Sequence, residues 1–314
     1  MSSAIAAVGR GLKRLVQIAL ALVVLVALYY AVGSHLVHRI DADPAFAEDI
    51  AVPEGGSTLV ATMAALIRRE VDQHGWVAND PVIFPSALLD DMAAYQQALV
   101  NAIRGVLDTL DADAPGDAGA RASAALADAR AALAVPPDRW TFDLARGVRP
   151  QTATETAYRD AADALTRFNA ALAAGTATLA SDPARVRDQV AALAATVDAA
   201  AVANLAHVDA RGGHWLDTTA DDRFQETRAV VYARLLFLRA LAADHGELFA
   251  DRDDALEAAL ARLARAAELA PWYVVNGPAD GQWRPSHLAA QAAYAREAAT
   301  AVRALAEDLA AGDT

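Results

Sequence analysis

"SALLDDMAAYQQALVNAIRGVLDTL", residues 86–110, decides the fold class. Leu88, Met92, Tyr95, Leu99, Ile103, Val106 and Leu110 recur at intervals of four and three, the period of one face of an α-helix. Charged and amide residues fall between them, so the segment has an apolar stripe to bury and a polar side to leave in water. The same period returns in both directions. Towards the N-terminus, Leu59, Met63, Leu66 and Val71 follow a capping Ser57, and His74-Gly75 closes the run. Towards the C-terminus, a weak stretch near 118–135 has only Leu126 and Leu133 above alanine. Tyr158, Leu165, Phe168 and Leu172 then follow a capping-box pair, Thr152 with Glu155. "SDP" (181–183) opens a long helix, with Asp182 as N-cap and Pro183 in its first turn, that runs to Gly212. Thr219 and Asp222 form another capping pattern, ahead of the greasy but arginine-interrupted face of Val231, Leu235, Leu238 and Leu241. Leu256, Leu260 and Leu263 mark one more helix. Leu288, Ala292, Ala295, Ala299, Val302, Ala306 and Leu309 have the seam of a closely packed helix pair. These periods predict an all-α protein with about eight helices after residue 57, arranged as an antiparallel bundle. A short extended piece is expected around "RWTFDLARGV" (139–148).

Composition agrees. The chain has 314 residues and is 55 % hydrophobic, much of that alanine, with 6 % aromatic residues. Alanine favours helix and buries little area per residue, so close helix packing must supply the core. The net charge of −13 and the lack of a basic cluster beyond the N-terminus argue against nucleic acid as a partner. With no cysteine, disulfides, thiolate metal sites and a cysteine nucleophile are excluded.

The N-terminal end stands apart. In "RGLKRLVQIALALVVLVALYYAVGSHL" (10–36), no charge occurs from Leu15 to Val32. That is roughly eighteen residues, near the minimum for a membrane span. Arg10, Lys13 and Arg14 precede the run and Arg39 follows, which places the N-terminus in the cytoplasm. Tyr29 and Tyr30 fall where an interfacial aromatic belt would sit. Ala31 and Gly33 could instead mark a cleavage site, but the apolar run exceeds a signal peptide's usual h-region of about 7–15 residues. The expected division is a cytoplasmic 1–14, a transmembrane anchor over 15–36, a linker over 37–56 and an extracytoplasmic helical domain over 57–314.

The chemistry-bearing residue types collect in four tryptophan-containing interruptions: "HGWVANDPVIFPS" (74–86), "PPDRWTFDLARGVRP" (136–150), "GGHWLDTTADD" (212–222) and "PWYVVNGPADGQWRPSHLAAQ" (271–291). They contain Trp76, Asn79, Asp80, Trp140, His214, Trp215, Asp217, Trp272, Asn276, Asp280, Trp283 and His287. If successive helices alternate and the first leads away from the membrane, these corners share the distal end of the bundle. There they would form a polar lining against aromatic walls: a sealed lid, or a recessed binding site. Asp80 and Asp217 could act as a paired acid and base if brought within a few ångströms. His214 with Asp217 is a loop pair, not a metal-binding helix motif, and capping and turn closure account for such residues equally well. No nucleophile elbow, dinucleotide fingerprint or phosphate loop is present in the sequence, so no catalytic residue, metal or cofactor is assigned.

"GWVANDPVIFPSALLDDMAAYQ", "WLDTTADDRF" and "PWYVVNGPADGQWRPSHLAAQ", in that order, resemble a family of uncharacterised bacterial inner-membrane proteins, domain of unknown function 2333. The resemblance implies an inner-membrane protein with a periplasmic helical body, and it transfers no catalytic residues. The expected role is a non-enzymatic interaction or structural component of the cell envelope, with the lipid bilayer and another envelope protein as partners. Two alternatives are a ligand-binding or sensory domain and a cell-wall hydrolase using the paired carboxylates.

Overall fold

The computed structural model describes residues 2–81, 83–143, 149–212, 214, 217–281 and 283–311. Helix α1, Ser2–Val37, is one unbroken helix. Its large apolar side chains from Leu15 to Leu28 are about half exposed or more, and none of them is buried against the body. Contact with the body is confined to its last turns. The Tyr29 hydroxyl donates to the Ile83 carbonyl at 3.0 Å and the Ser34 hydroxyl to the Pro85 carbonyl at 2.8 Å. Gly33 makes the approach possible, because a Cβ there would lie 2.3 Å from Pro85 Cγ.

Residues 38–56, read from sequence as a linker, are instead a strap bound along the body. The Asp41 carbonyl accepts from Tyr95 Oη at 2.6 Å, and the Asp43 carbonyl accepts from Tyr232 Oη at 2.9 Å. The Pro44 carbonyl accepts from Arg239. Ser57 Oγ donates to Asp244 at 2.7 Å. The partners Tyr232, Arg239 and Asp244 ascend one helix, so the strap runs along that helix's C-terminal half. About 18 Å of helix separates Tyr232 from Asp244 at 1.5 Å per residue. Helix α2, Thr58–Arg68, therefore starts at the end remote from α1 and runs back towards it through a π-helical turn, Arg69–Gly75. Relative to α1, the direction expected for this helix is reversed. Pro and Gly marked the strap as non-helical, but its carbonyls find donors on three helices, which no local pattern shows.

The remaining elements follow: α3 Asp90–Leu107, β1 Ala112–Asp113, α4 Gly116–Leu133, β2 Phe142–Asp143, β3 Arg149–Pro150, α5 Thr154–Ala173, β4 Thr178–Leu179, α6 Pro183–Arg211, α7 Ala220–Asp244, the single turn α8 Gly246–Phe249, α9 Asp253–Ala267 and α10 His287–Ala311. The short strands pair antiparallel, β1 with β4 and β2 with β3, the second pair where an extended piece was expected. α6 and α10 form the most extensive helix pair. Ala292, Ala295, Ala299, Val302 and Ala306 of the sequence-read seam are all buried there. α6 is long and apolar enough by composition to cross a membrane, as the Lys13–Val37 part of α1 is, but it packs into the body along one face.

Local signals held where the partner is also local. Ser57 accepts from Val60 N and Asp182 from Arg185 N, as N-caps should. Neither capping box forms, because other partners, tertiary in the first and local in the second, take its residues. The first helix after that box begins at Thr154, whose hydroxyl lies within hydrogen-bond reach of the Pro136 and Arg139 carbonyls, while Glu155 accepts from Asn79. Thr219 donates its hydroxyl to Asp217 and makes no side-chain cap. α3 starts at Asp90 instead of Ser86, after a 3₁₀ turn over Pro85–Leu88.

Candidate functional site

A groove runs along α3, α6 and α7. It has two lobes, of 530 Å³ and 760 Å³, which meet at Thr196 and Arg234. Small residues leave the space open. α6 turns Ala192, Ala199, Ala200 and Ala203 towards it, and α3 contributes Gly105 and Ala98. One lobe has an apolar wall of Leu59, Val106, Leu193, Phe237 and Leu241. The other is polar, with Asn101, Asn204, Thr227, Asp90 and Asp222, and with Glu226 paired to Arg223 at 3.0 Å.

Arg234 sits between the lobes and is only 4 % exposed. Its Nη1 donates to the Ala102 carbonyl at 3.0 Å, and its guanidinium lies 5.7 Å from the Phe237 ring centroid. Its Nε has no acceptor, and no carboxylate of the described residues lies within ion-pair distance. Burial alone pushes its pKa down, to about 10, and it stays charged at neutral pH. The acidic lobe has the reverse imbalance. α3 and α7 run side by side in the same direction, so their acidic first turns adjoin. The burial of Asp222, together with Asp90, Asp221, Glu226 and Asp91 around it, pushes its carboxyl up to about 6. Helix N-termini favour acids, but four in neighbouring first turns repel one another. The groove thus joins, in linear order, an apolar wall, a cation without a counter-ion and an acidic lobe in which Glu226 is paired with Arg223 and Asp222 is the poorly compensated carboxylate.

The residues singled out from sequence lie elsewhere. Their corners do share one end of the body, the end that holds the last turns of α1. Trp76 Nε1 donates to the Pro137 carbonyl at 2.8 Å, and Asn79 Nδ2 donates to the Arg139 carbonyl and to Glu155, each at 3.0 Å. Asn276 Nδ2 donates to Asp217 at 2.7 Å, and Arg284 donates to the His214 carbonyl at 2.6 Å. That end is not remote from α1, which corrects the expected distal placement; the strap reverses the parity. The corners are not a uniform lid either. Trp76 is buried edge-on against Tyr158, with centroids 4.9 Å apart. Trp140 is nearly half exposed, and Trp272 and Trp283 are fully exposed. Trp215 lies outside the described residues.

Asp80 accepts from Ser86, and burial followed by the nearby Glu155 raises its carboxyl against that bond. Burial would also raise Asp217, but bonds from Asn276, His207 and Thr219 outweigh it and hold the carboxyl at about 2. Asp80 and Asp217 share no hydrogen-bond partner, and each is bonded within its own corner. His214 Nδ1 lies 3.2 Å from the Arg211 carbonyl and does not join Asp217. His287 Nδ1 accepts from Val275 N at 2.9 Å inside the folded-back 271–286 corner, and Asp280 is exposed at its tip. Gly277 closes that corner, since a Cβ there would meet the Arg284 carbonyl at 2.3 Å.

No protein-family model, curated protein or solved structure matches the chain. Sequence reading missed Arg234, although it saw the arginines that interrupt the apolar face of α7. A buried arginine in such a face signals either a hidden partner or a missing one.

Proposed function

We propose that the chain is a membrane-anchored, non-enzymatic helical protein whose antiparallel body binds a zwitterionic amphiphile in the α3–α6–α7 groove. The observation that carries this reading is Arg234: a buried guanidinium facing open space without a counter-ion. Burying such a charge costs several kcal/mol unless something compensates it. An anionic group at Arg234 supplies the missing partner. An acyl chain fits along the apolar wall on one side, and an ammonium group neutralises Asp222 and Asp90 on the other. Acyl, phosphate and ammonium occur in that order in a lysophosphatidylethanolamine. Anchorage is supported by the uncovered apolar flank of α1, with Arg10, Lys13 and Arg14 on its N-terminal side as the positive-inside rule requires. The packing of Gly33 and Ser34 against Pro85 supports α1 as a retained part of the protein. This reading puts the N-terminus in the cytoplasm and the body in the periplasm of a bacterial inner membrane, where the resemblance of the corner motifs also points.

Thermal unfolding of the detergent-solubilised full chain tests the ligand. Lysophosphatidylethanolamine raises the Tm of the wild type. A single-chain alcohol, which lacks both charges, does not, and Arg234→Met abolishes the response. An equal rise in both proteins rejects the site.

A further inference from the structure

Beyond α1, the large apolar side chains exposed to solvent among the described residues are not scattered. All but Val202 lie in three corners: Ile83 and Phe84 in the first, Trp140 and Phe142 in the second, and Trp272, Tyr273 and Trp283 in the third. These corners share the end of the body that holds α1. Soluble surfaces rarely gather exposed aromatics in this way without a contact to make. The position of α1 limits what that contact is. Tyr29 bonds the Ile83 carbonyl, and Tyr29 lies eight residues before the helix ends at Val37, about 12 Å along the axis. The uncharged run continues to Val32, so Ile83 and Phe84 stand at the level where α1 leaves its apolar stretch. The third corner is tied to the same level. Arg228 Nε donates to the Ala267 carbonyl at 2.9 Å, five residues before Trp272, and its charge acts on His38, the residue after α1.

We propose that this end of the body is a second membrane contact, whose exposed Trp, Tyr, Phe and Ile side chains enter the interfacial layer of the leaflet at the C-terminal end of α1. The inference rests on the reading of α1 as a span and is independent of the groove. Tryptophan and tyrosine suit such a layer, because each has an apolar ring and a polar group that stays hydrated. The nearby charges are mixed, with Asp80, Asp138 and Asp280 against Arg39, Arg139 and Arg284. The contact is therefore apolar in origin and persists in neutral lipid and in salt. With the strap bound along α7, it holds the body against the bilayer at several points instead of leaving it on a flexible stalk.

The test uses the full chain in phosphatidylcholine vesicles, with bromine placed on the acyl chains near the headgroup. Variants retain one tryptophan each, Trp272, Trp283 or the buried Trp76, with the others changed to Phe, and circular dichroism checks that each is folded. A polarity-sensitive label on Val24→Cys reports α1 separately. The expected result is a hydrocarbon signal from the label, loss of most Trp272 and Trp283 emission to bromolipid, and little loss from Trp76. If the label is in hydrocarbon but Trp272 and Trp283 are quenched only by aqueous acrylamide, the membrane face is overturned and the anchor stands. Protection of both from acrylamide and bromolipid alike means that a second copy covers them, and also overturns it. A label in water overturns the face and the anchor together.

Discussion

Arg69 and Arg234 are both buried arginines, 2 % and 4 % exposed, within one helical body. They differ in what surrounds them. Arg69 Nε donates to Glu70 at 2.9 Å, its Nη1 to Tyr232 Oη at 2.9 Å and its Nη2 to the Asp41 carbonyl at 3.2 Å, and its guanidinium lies 4.6 Å from the Phe46 ring centroid. Burial works against its charge, but Glu70 and the neighbouring tyrosines outweigh that and raise its pKa. Arg234 has one carbonyl and one aromatic ring face, and burial lowers it. Two aspartates repeat the contrast. Asp217 receives bonds from Asn276, His207 and Thr219, whereas Asp222 faces other acids and has a buried oxygen without a partner. A charge whose partners are all present is architecture: the Arg69 cluster clamps the strap, and Asp217 ties the 271–286 corner to the end of α6. A charge left unbalanced beside open space is where the proposed ligand would bind.

Breaking the satisfied pair has the largest effect. Glu70→Ala leaves Arg69 buried without its carboxylate, and urea unfolding should show a loss of about 3–5 kcal/mol. Arg234→Met should move the other way, gaining about 1–2 kcal/mol without ligand, because an unpaired charge is replaced by an apolar chain of similar length. A loss as large as that of Glu70→Ala would put Arg234 with the architecture and break the comparison.

The acids sharpen it through pH. The folded pKa of Asp217, about 2, lies below its ordinary 3.8. Its contribution is therefore present above about pH 4 and lost as the pH falls towards 2. Asp217→Asn should cost about 1.5 kcal/mol near neutrality, and the difference should close in acid. The folded pKa of Asp222, about 6, lies above 3.8. Its destabilisation is absent below about pH 4 and complete above about pH 7. Asp222→Asn should gain under about 1 kcal/mol at about pH 8, after allowance for solvent screening, and nothing at about pH 3.5.

Much of the fold was legible because its causes are local. The stripe of α3, the alanine seam of α10 and the caps at Ser57 and Asp182 each depend on residues within a few positions. The strap was not legible. Its Pro and Gly residues mark a break in helix, and the donors that bind it come from Tyr95, Tyr232 and Arg239, far away in sequence. That one segment reverses which end of the body each corner occupies relative to α1. "IRREVDQHG" (67–75) looks like a polar helix end, yet Arg69 and Glu70 are at the centre of the molecule because both tyrosine hydroxyls and the strap converge there. The groove was hidden for the same reason. The pattern of α7 shows arginines within an apolar face but not which of them finds a carboxylate, and that distinction separates Arg69 from Arg234.

Native mass spectrometry of the full chain, released from detergent after purification from its membrane, tests most directly whether Arg234 is kept for a ligand. The wild type should retain one phospholipid more than Arg234→Met under the same activation, and Glu70→Gln should retain as many as the wild type. Equal retention by the wild type and Arg234→Met would contradict the account.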